Sequence, residues 1–169
     1  DEVKSYSTYK PGASVWVNKE EEATSPFSFG GGGLPPYAYN VPRVKFDKTI
    51  FEKAIAEGVT FFQHIAKIEQ VNGTDELKIS DETTAFTKAY LKGQPDLIVD
   101  ATGRSRMIAR MMNLPTREGK RKDVALFAHL TNADKISPYN IHLHRLQEGW
   151  TWRIPLPDRT SVGVVINPK

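Results

Sequence analysis

Three clusters of side chains in this sequence have the types and spacing to do chemistry. The first is "DATGRSR" (Asp100–Arg106), which follows a short apolar run and precedes a helical pattern. Asp100, at the end of a strand expected to be buried, must find donors, because an unpaired buried carboxylate is costly. Gly103 permits a left-handed turn or a close backbone approach. Arg104, Ser105 and Arg106 offer amides and cationic side chains that could hold an anion. Strand, glycine turn and helix is the arrangement in which a helix start meets a phosphate. A plain strand-to-helix turn capped by Asp or Ser uses the same residues, and both readings stand.

The second cluster is "GWTWRIP" (Gly149–Pro155). Strand alternation puts Trp150 and Trp152 on one face. Two indoles bury a large apolar area and carry N–H groups that need acceptors. They either pack a core or wall off a cavity. The third cluster is the pair His142 and His144, at a spacing that can chelate a metal on one strand face. No third ligand is near in sequence, since His64 and His129 lie far along the chain, so no metal site is expected. The glycine run in "FGGGGLPP" (Phe29–Pro36) lacks the preceding strand and the Lys-Ser/Thr pair of a phosphate loop. Pro35 and Pro36 also remove amide donors. It reads as a flexible loop able to act as a lid. No side chain stands out as a general acid, base or nucleophile.

These residues need elements to position them. "GASVWVN" (Gly12–Asn18) alternates as a strand, and "KEEEATSP" after it reads as a polar loop. Asn40 or Val41 caps a helix with Pro42 in its first turn. Phe46, Phe51, Ile50, Ala54 and Ile55 give its apolar spacing, and Gly58 its left-handed stop. A three-stranded meander is expected next. Its strands are Val59–Val71, "ELKIS" after a turn at Asn72-Gly73, and "TAFTKAYLKG". Leu97–Val99 reads as a strand buried on both faces. Met107, Ile108, Met111 and Met112 form a short helix ended before Pro115. "DVALFAHLTN", "YNIHLHRLQ", "GWTWRIPL" and "TSVGVVI" are four strands joined by short turns, which favour an antiparallel sheet. The fold class is therefore α+β, with an antiparallel sheet, a meander and two helices. The chain reads as a single domain or fragment in three stretches, 1–36, 37–115 and 116–169.

Composition narrows the function. The chain has 169 residues, 39% of them hydrophobic and 25% charged, as in an ordinary globular domain. It carries a formal net charge of +3 with alternating signs, and no stacking motif interleaved with basic residues, so nucleic acid is not an expected partner. No apolar run is long enough to span a membrane. The first residues do not form a signal peptide. The absence of cysteine fits a reducing compartment, and a cytoplasmic location is expected.

Taken together, the segments resemble flavin-dependent halogenases and their relatives among flavoprotein monooxygenases and geranylgeranyl reductases. "GWTWRIP" is similar to the halogenase pattern Gly-Trp-x-Trp-x-Ile-Pro, and "TSVGVVI" continues it. "DATGRSR" is similar to the Asp-x-Ser/Thr-Gly turn near FAD in these flavoproteins. "YAYNVPRVKFDKTIFEKAIAEGV" (Tyr37–Val59) resembles the family helix, with its arginine at Arg43 and its Phe-Asp at Phe46-Asp47. "YKPGASVWV" (Tyr9–Val17) resembles the start of the substrate-side sheet. The Gly-x-Gly-x-x-Gly unit that holds the FAD diphosphate is not in this sequence.

The resemblance implies the central part of a two-domain FAD-dependent oxidoreductase. Its cofactor is FAD, held weakly or not at all by this stretch alone. Electrons come from NAD(P)H or a flavin reductase, and a small organic substrate is halogenated, hydroxylated or reduced. It implies flavin-side contacts at Arg43, Asp100, Gly103 and Arg104. It also implies a wall between flavin and substrate at Trp150, Trp152, Ile154 and Pro155. In halogenases, hypohalous acid passes along a tunnel to a lysine near the substrate. The resemblance sets that lysine upstream of the matched part, so Lys10 receives no role from it. The alternative is a non-catalytic module that binds an apolar small molecule on an aromatic-lined sheet.

Overall fold

The alternating segments of the last third become strands, as their period-two pattern requires. The structure is a computed structural model that describes residues 2–18, 20–29, 33–117, 119–134, 136 and 139–168. Gly30, Gly31 and Gly32 of the glycine run lie outside the described residues, as does Lys19. In chain order the elements begin with α1 (Glu2–Ser5), β1 (Thr8–Lys10), β2 (Gly12–Trp16), β3 (Glu22–Pro26), β4 (Ala38–Asn40) and α2 (Arg43–Ala56). They continue with β5 (Ile68–Gln70), β6 (Leu77–Ile79), α3 (Asp81–Thr87), α4 (Met107–Met111), β7 (Val124–Leu130), β8 (Ile141–Leu146), β9 (Gly149–Pro155) and β10 (Thr160–Ile166). Contacts divide the chain into two units, residues 1–59 with 119–169, and residues 60–118.

The first unit is built on a six-stranded sheet in the order β3-β2-β8-β9-β10-β7. Its ladders are antiparallel except β2–β8, which is parallel and sets Ser14 beside His142 and Trp16 beside His144. The parallel ladder joins the start of the chain to its last third, and Asn140 Nδ2 donates to Ser14 Oγ across it at 3.2 Å. The "KEEEATSP" stretch, expected as a loop, supplies β3. Ser14 Oγ and Thr24 Oγ1 stand 3.0 Å apart across that ladder, so polar residues there pair along an edge rather than leave it. β1 and β4 form a separate two-stranded ladder. Helix α2 starts after Pro42, whose carbonyl accepts from Lys45 and Phe46 N–H at 3.0 Å each. The cap thus falls on Pro42 rather than on Asn40 or Val41. Its stop is the expected one. Gly58 has φ 95°, with Gly58 N–H donating to Ile55 O and Val59 N–H to Ala54 O. The apolar stripe of α2 is not enclosed, with Ile50 55% exposed and Phe51 45%.

In the second unit, β5 and β6 form the expected hairpin around Asn72-Gly73, with Gly73 at φ 77°. The long strand expected at Val59–Val71 shrinks to Ile68–Gln70. The third meander strand is a helix instead, α3. Ser80 caps it by accepting from Thr83 N–H at 3.2 Å, and Asp81 and Glu82 fill the first turn. The Gln94 side chain stands where a third strand would pair, bonding Ile79 N–H at 2.7 Å and Ile79 O at 3.0 Å. Leu97–Val99, expected as a buried strand, is not a strand among the described residues. Leu97 is 77% exposed and Val99 75%, because no described strand lies beside them. Helix α4 ends before Pro115 as expected. Among the described residues, no helix is long and apolar enough to cross a membrane.

Candidate functional site

The tryptophan pair sits in the middle of the six-stranded sheet. Trp150, Trp152 and Ile154 alternate onto one face of β9, with ring centroids of the two indoles 5.7 Å apart at an interplanar angle of 47°. Pro155 belongs to the same strand but falls on the opposite face, where it is buried. The two indoles have different surroundings. Trp152 lies opposite Gly163 of β10, and Trp152 Nε1 donates to Ser161 Oγ at 3.2 Å. A Cβ on Gly163 would come within 2.3 and 2.4 Å of the outer ring atoms of Trp152 and 2.6 Å from Leu126 O. The glycine is a slot in which the indole lies. Trp150 lies opposite Val165 and is 39% exposed. A shallow depression of about 560 Å³ runs beside Trp152, lined by Leu126, Phe127, Thr151, Val162 and Gly163 among others. Gly163 and Ser161 escaped the sequence reading. The available signal was a glycine in mid-strand, which marks a close approach.

Asp100–Arg106 is a self-contained turn in the second unit. Asp100 Oδ1 accepts from Thr102 N–H at 2.9 Å and from the Thr102 hydroxyl at 2.5 Å, and Oδ2 accepts from Ile108 N–H at 2.9 Å. Thr102 Oγ1 accepts from Met107 N–H at 3.2 Å. Asp100 is exposed and follows no strand, against the expectation of a buried strand end. Its carboxyl is held below the usual range by the Thr102 hydroxyl, then by the Thr102 and Ile108 amides. Two amides that open α4 are therefore already bound within the turn. Gly103, at φ 61°, faces open space, and Arg104 beside it is exposed.

Arg43 opens α2 in the first unit. Its Nε and Nη2 bind Asp47 Oδ1 and Oδ2 at 3.0 and 3.2 Å, with both side chains exposed. The Asp47 bond and charge raise the guanidinium above its usual value.

The two histidines of β8, His142 and His144, pack against one side chain. Both imidazoles stack on Trp16, at 5.1 Å for His142 and 4.5 Å for His144. His142 is 4% exposed. Burial, then the charge of Arg153, holds it below the usual histidine range. Among the described residues no three metal-ligating side chains gather.

Lys10 ends β1 with its ammonium 5.1 Å from the centre of the Phe27 ring. Burial lowers its amine below the usual lysine range.

Comparison with known proteins gives the arrangement a context. A family model described as tryptophan halogenase matches residues 8–169. Flavin-dependent halogenase ascD of Acremonium egyptiacum is 28% identical over 95% of this chain and 33% of its own length. The 1H-pyrrole-2-carbonyl-[peptidyl-carrier protein] chlorinase of Pseudomonas fluorescens is 26% identical over 76% of this chain and 30% of its own. Among solved structures, a flavoprotein/dehydrogenase from Cytophaga hutchinsonii superposes with a TM-score of 0.73 at 26% identity, covering 96% of this chain and 40% of that one. The flavin-dependent halogenase CmlS superposes with a TM-score of 0.71 at 20% identity over 95% of this chain and 30% of its own, a likeness of fold. This chain spans about a third of the length of the curated relatives it matches.

Proposed function

The chain belongs to the tryptophan halogenase family, and from that premise we propose that it is the substrate-side portion of an FAD-dependent halogenase acting on a small organic molecule. The observation that carries this reading is the Trp150–Trp152 face on β9, in the motif the family resemblance rests on. Bound and reduced, FAD would supply electrons to oxygen so that halide becomes an electrophilic halogen. A flavin reductase would deliver those electrons.

The residues present fit one edge of that cofactor. The Gly103–Arg104 edge of the turn is open, and a backbone without a Cβ can approach a flat ring closely there. They do not make a seat for the diphosphate, because Met107 and Ile108 N–H are spent on Thr102 and Asp100. Asp100 then shapes the turn and leaves Gly103 and Arg104 to meet the cofactor. Arg43 would be available to a cofactor only by giving up part of its fork on Asp47. Exposed Leu97 and Val99 suit a sheet completed by further strands of the full-length protein.

Trp150, Trp152 and Ile154 would keep substrate and flavin apart while hypohalous acid crosses. The family match begins at residue 8, so Lys10 falls inside it. Its partly buried amine, lowered by desolvation, fits the lysine that holds hypohalous acid beside the substrate.

The test is to purify the full-length protein and load it with FAD. The reading predicts a yellow protein that halogenates an organic substrate when reduced flavin, oxygen and halide are supplied. The 169-residue chain alone is predicted to bind FAD weakly or not at all. A full-length protein that cannot be loaded would overturn it. Saturable quenching of tryptophan fluorescence by apolar ligands in such a protein would favour a binding module.

A further inference from the structure

The two tryptophans of β9 are not equivalent, and the reason lies on the neighbouring strand. Trp152 has a seat with two parts. Gly163 leaves the space that its outer ring fills, and Ser161 accepts its Nε1–H at 3.2 Å. Trp150 faces Val165, whose branched side chain fills the corresponding position, and the indole stands 39% exposed. An indole held by a steric slot at one end and a hydrogen bond at the other has one rotamer available. An indole with neither constraint has several.

We propose that Ser161 and Gly163 are positioning residues that fix Trp152 as the rigid post of the wall, and that Trp150 is the adjustable element that contacts the ligand. The proposal rests on the reading of this face as the wall between flavin and substrate, and adds the residues that set its geometry. Substrate fit then depends on the plane of Trp152, which is set from β10 by the Ser161 hydroxyl and by the missing Cβ of Gly163. Ser161→Ala removes the acceptor without adding bulk. The lost hydrogen bond shifts the Trp152 rotamer population about five-fold toward alternatives. Gly163→Ala drives a Cβ into the ring and into Leu126 O, so it moves the indole and also strains the β7–β10 ladder.

The experiment uses the full-length protein and the exciton coupling of two close, tilted indoles in circular dichroism. Trp150→Phe identifies the couplet, because it removes one partner and leaves Trp16 in place. Ser161→Ala is expected to weaken the couplet, and Ser161→Thr, which keeps a hydroxyl, to retain it. The same Ser161→Ala protein is expected to show a several-fold rise in KM with kcat little changed. Trp152→Phe combined with Gly163→Ala is expected to unfold at higher denaturant than Gly163→Ala alone, because the phenyl ring ends short of the new Cβ. An unchanged couplet and KM in Ser161→Ala would overturn the proposal. So would a couplet lost equally in Ser161→Ala and Ser161→Thr. The couplet is read without FAD, so failure of the seat is distinguished from failure of the flavin reading.

Discussion

The unequal seating of the two indoles makes a quantitative prediction about stability. Trp152→Phe removes the Nε1 donor from Ser161, a loss of about 1 kcal/mol. It also strips the outer ring from its contact on Gly163. At roughly 25 cal/mol per Å² over a few tens of Å² this adds about 1 kcal/mol. The expected cost is about 2 kcal/mol. Trp150→Phe removes a ring edge that is already 39% exposed and has no such slot. Its expected cost is about 0.5 kcal/mol, in the range of surface substitutions. Urea unfolding followed by far-ultraviolet circular dichroism measures both, with the m-value checked for constancy. Equal costs for the two variants, or a larger cost for Trp150→Phe, would refute the argument that Gly163 and Ser161 anchor one indole and not the other.

Two further predictions concern protonation. Burial holds the folded pKa of His142 below the usual histidine value of 6.5, so the unfolded chain takes up the proton first. The stability this group contributes is fully present above 6.5 and is lost as the pH falls toward the folded value. His142→Gln is expected to flatten the urea midpoint against pH in that window, and an unaltered profile would count against it. Asp100 is likewise depressed, below 3.8, by its bonds to Thr102 and Ile108, so its contribution is present above 3.8 and lost on further acidification. Asp100→Ala is expected to speed hydrogen exchange at Thr102 and Ile108 N–H at neutral pH. Unchanged protection there would contradict the turn as described.

Much of the sheet was legible because its strands alternate and their turns carry Gly149 and Pro157–Arg159. The parallel β2–β8 ladder was not, since pairing between the ends of a chain leaves no local trace. The segment 84–93 misled through its apolar residues. The capping signal was nonetheless present, a serine at Ser80 followed by Asp81 and Glu82. Leu97–Val99 shows a limit of composition: an apolar run predicts burial only if neighbouring strands exist, and none is described beside it. In the site, the Trp150–Trp152–Ile154 face follows from alternation, which sets Pro155 on the opposite face. Asp100 organises an exposed turn and does not end a buried strand, because no strand directly precedes it among the described residues. The desolvation of the Lys10 amine was not legible, because it is a matter of what packs around β1.

The measurement that tests the account most directly compares the full-length protein with its Lys10→Met variant, both loaded with FAD. Halogenated product and oxidation of reduced flavin are followed together. The account predicts that the variant loses product formation by ~100-fold or more. Flavin oxidation should stay within about two-fold, because Lys10 acts on the halogen and not on the cofactor. Product formation by Lys10→Met at the rate of the unaltered protein would contradict it.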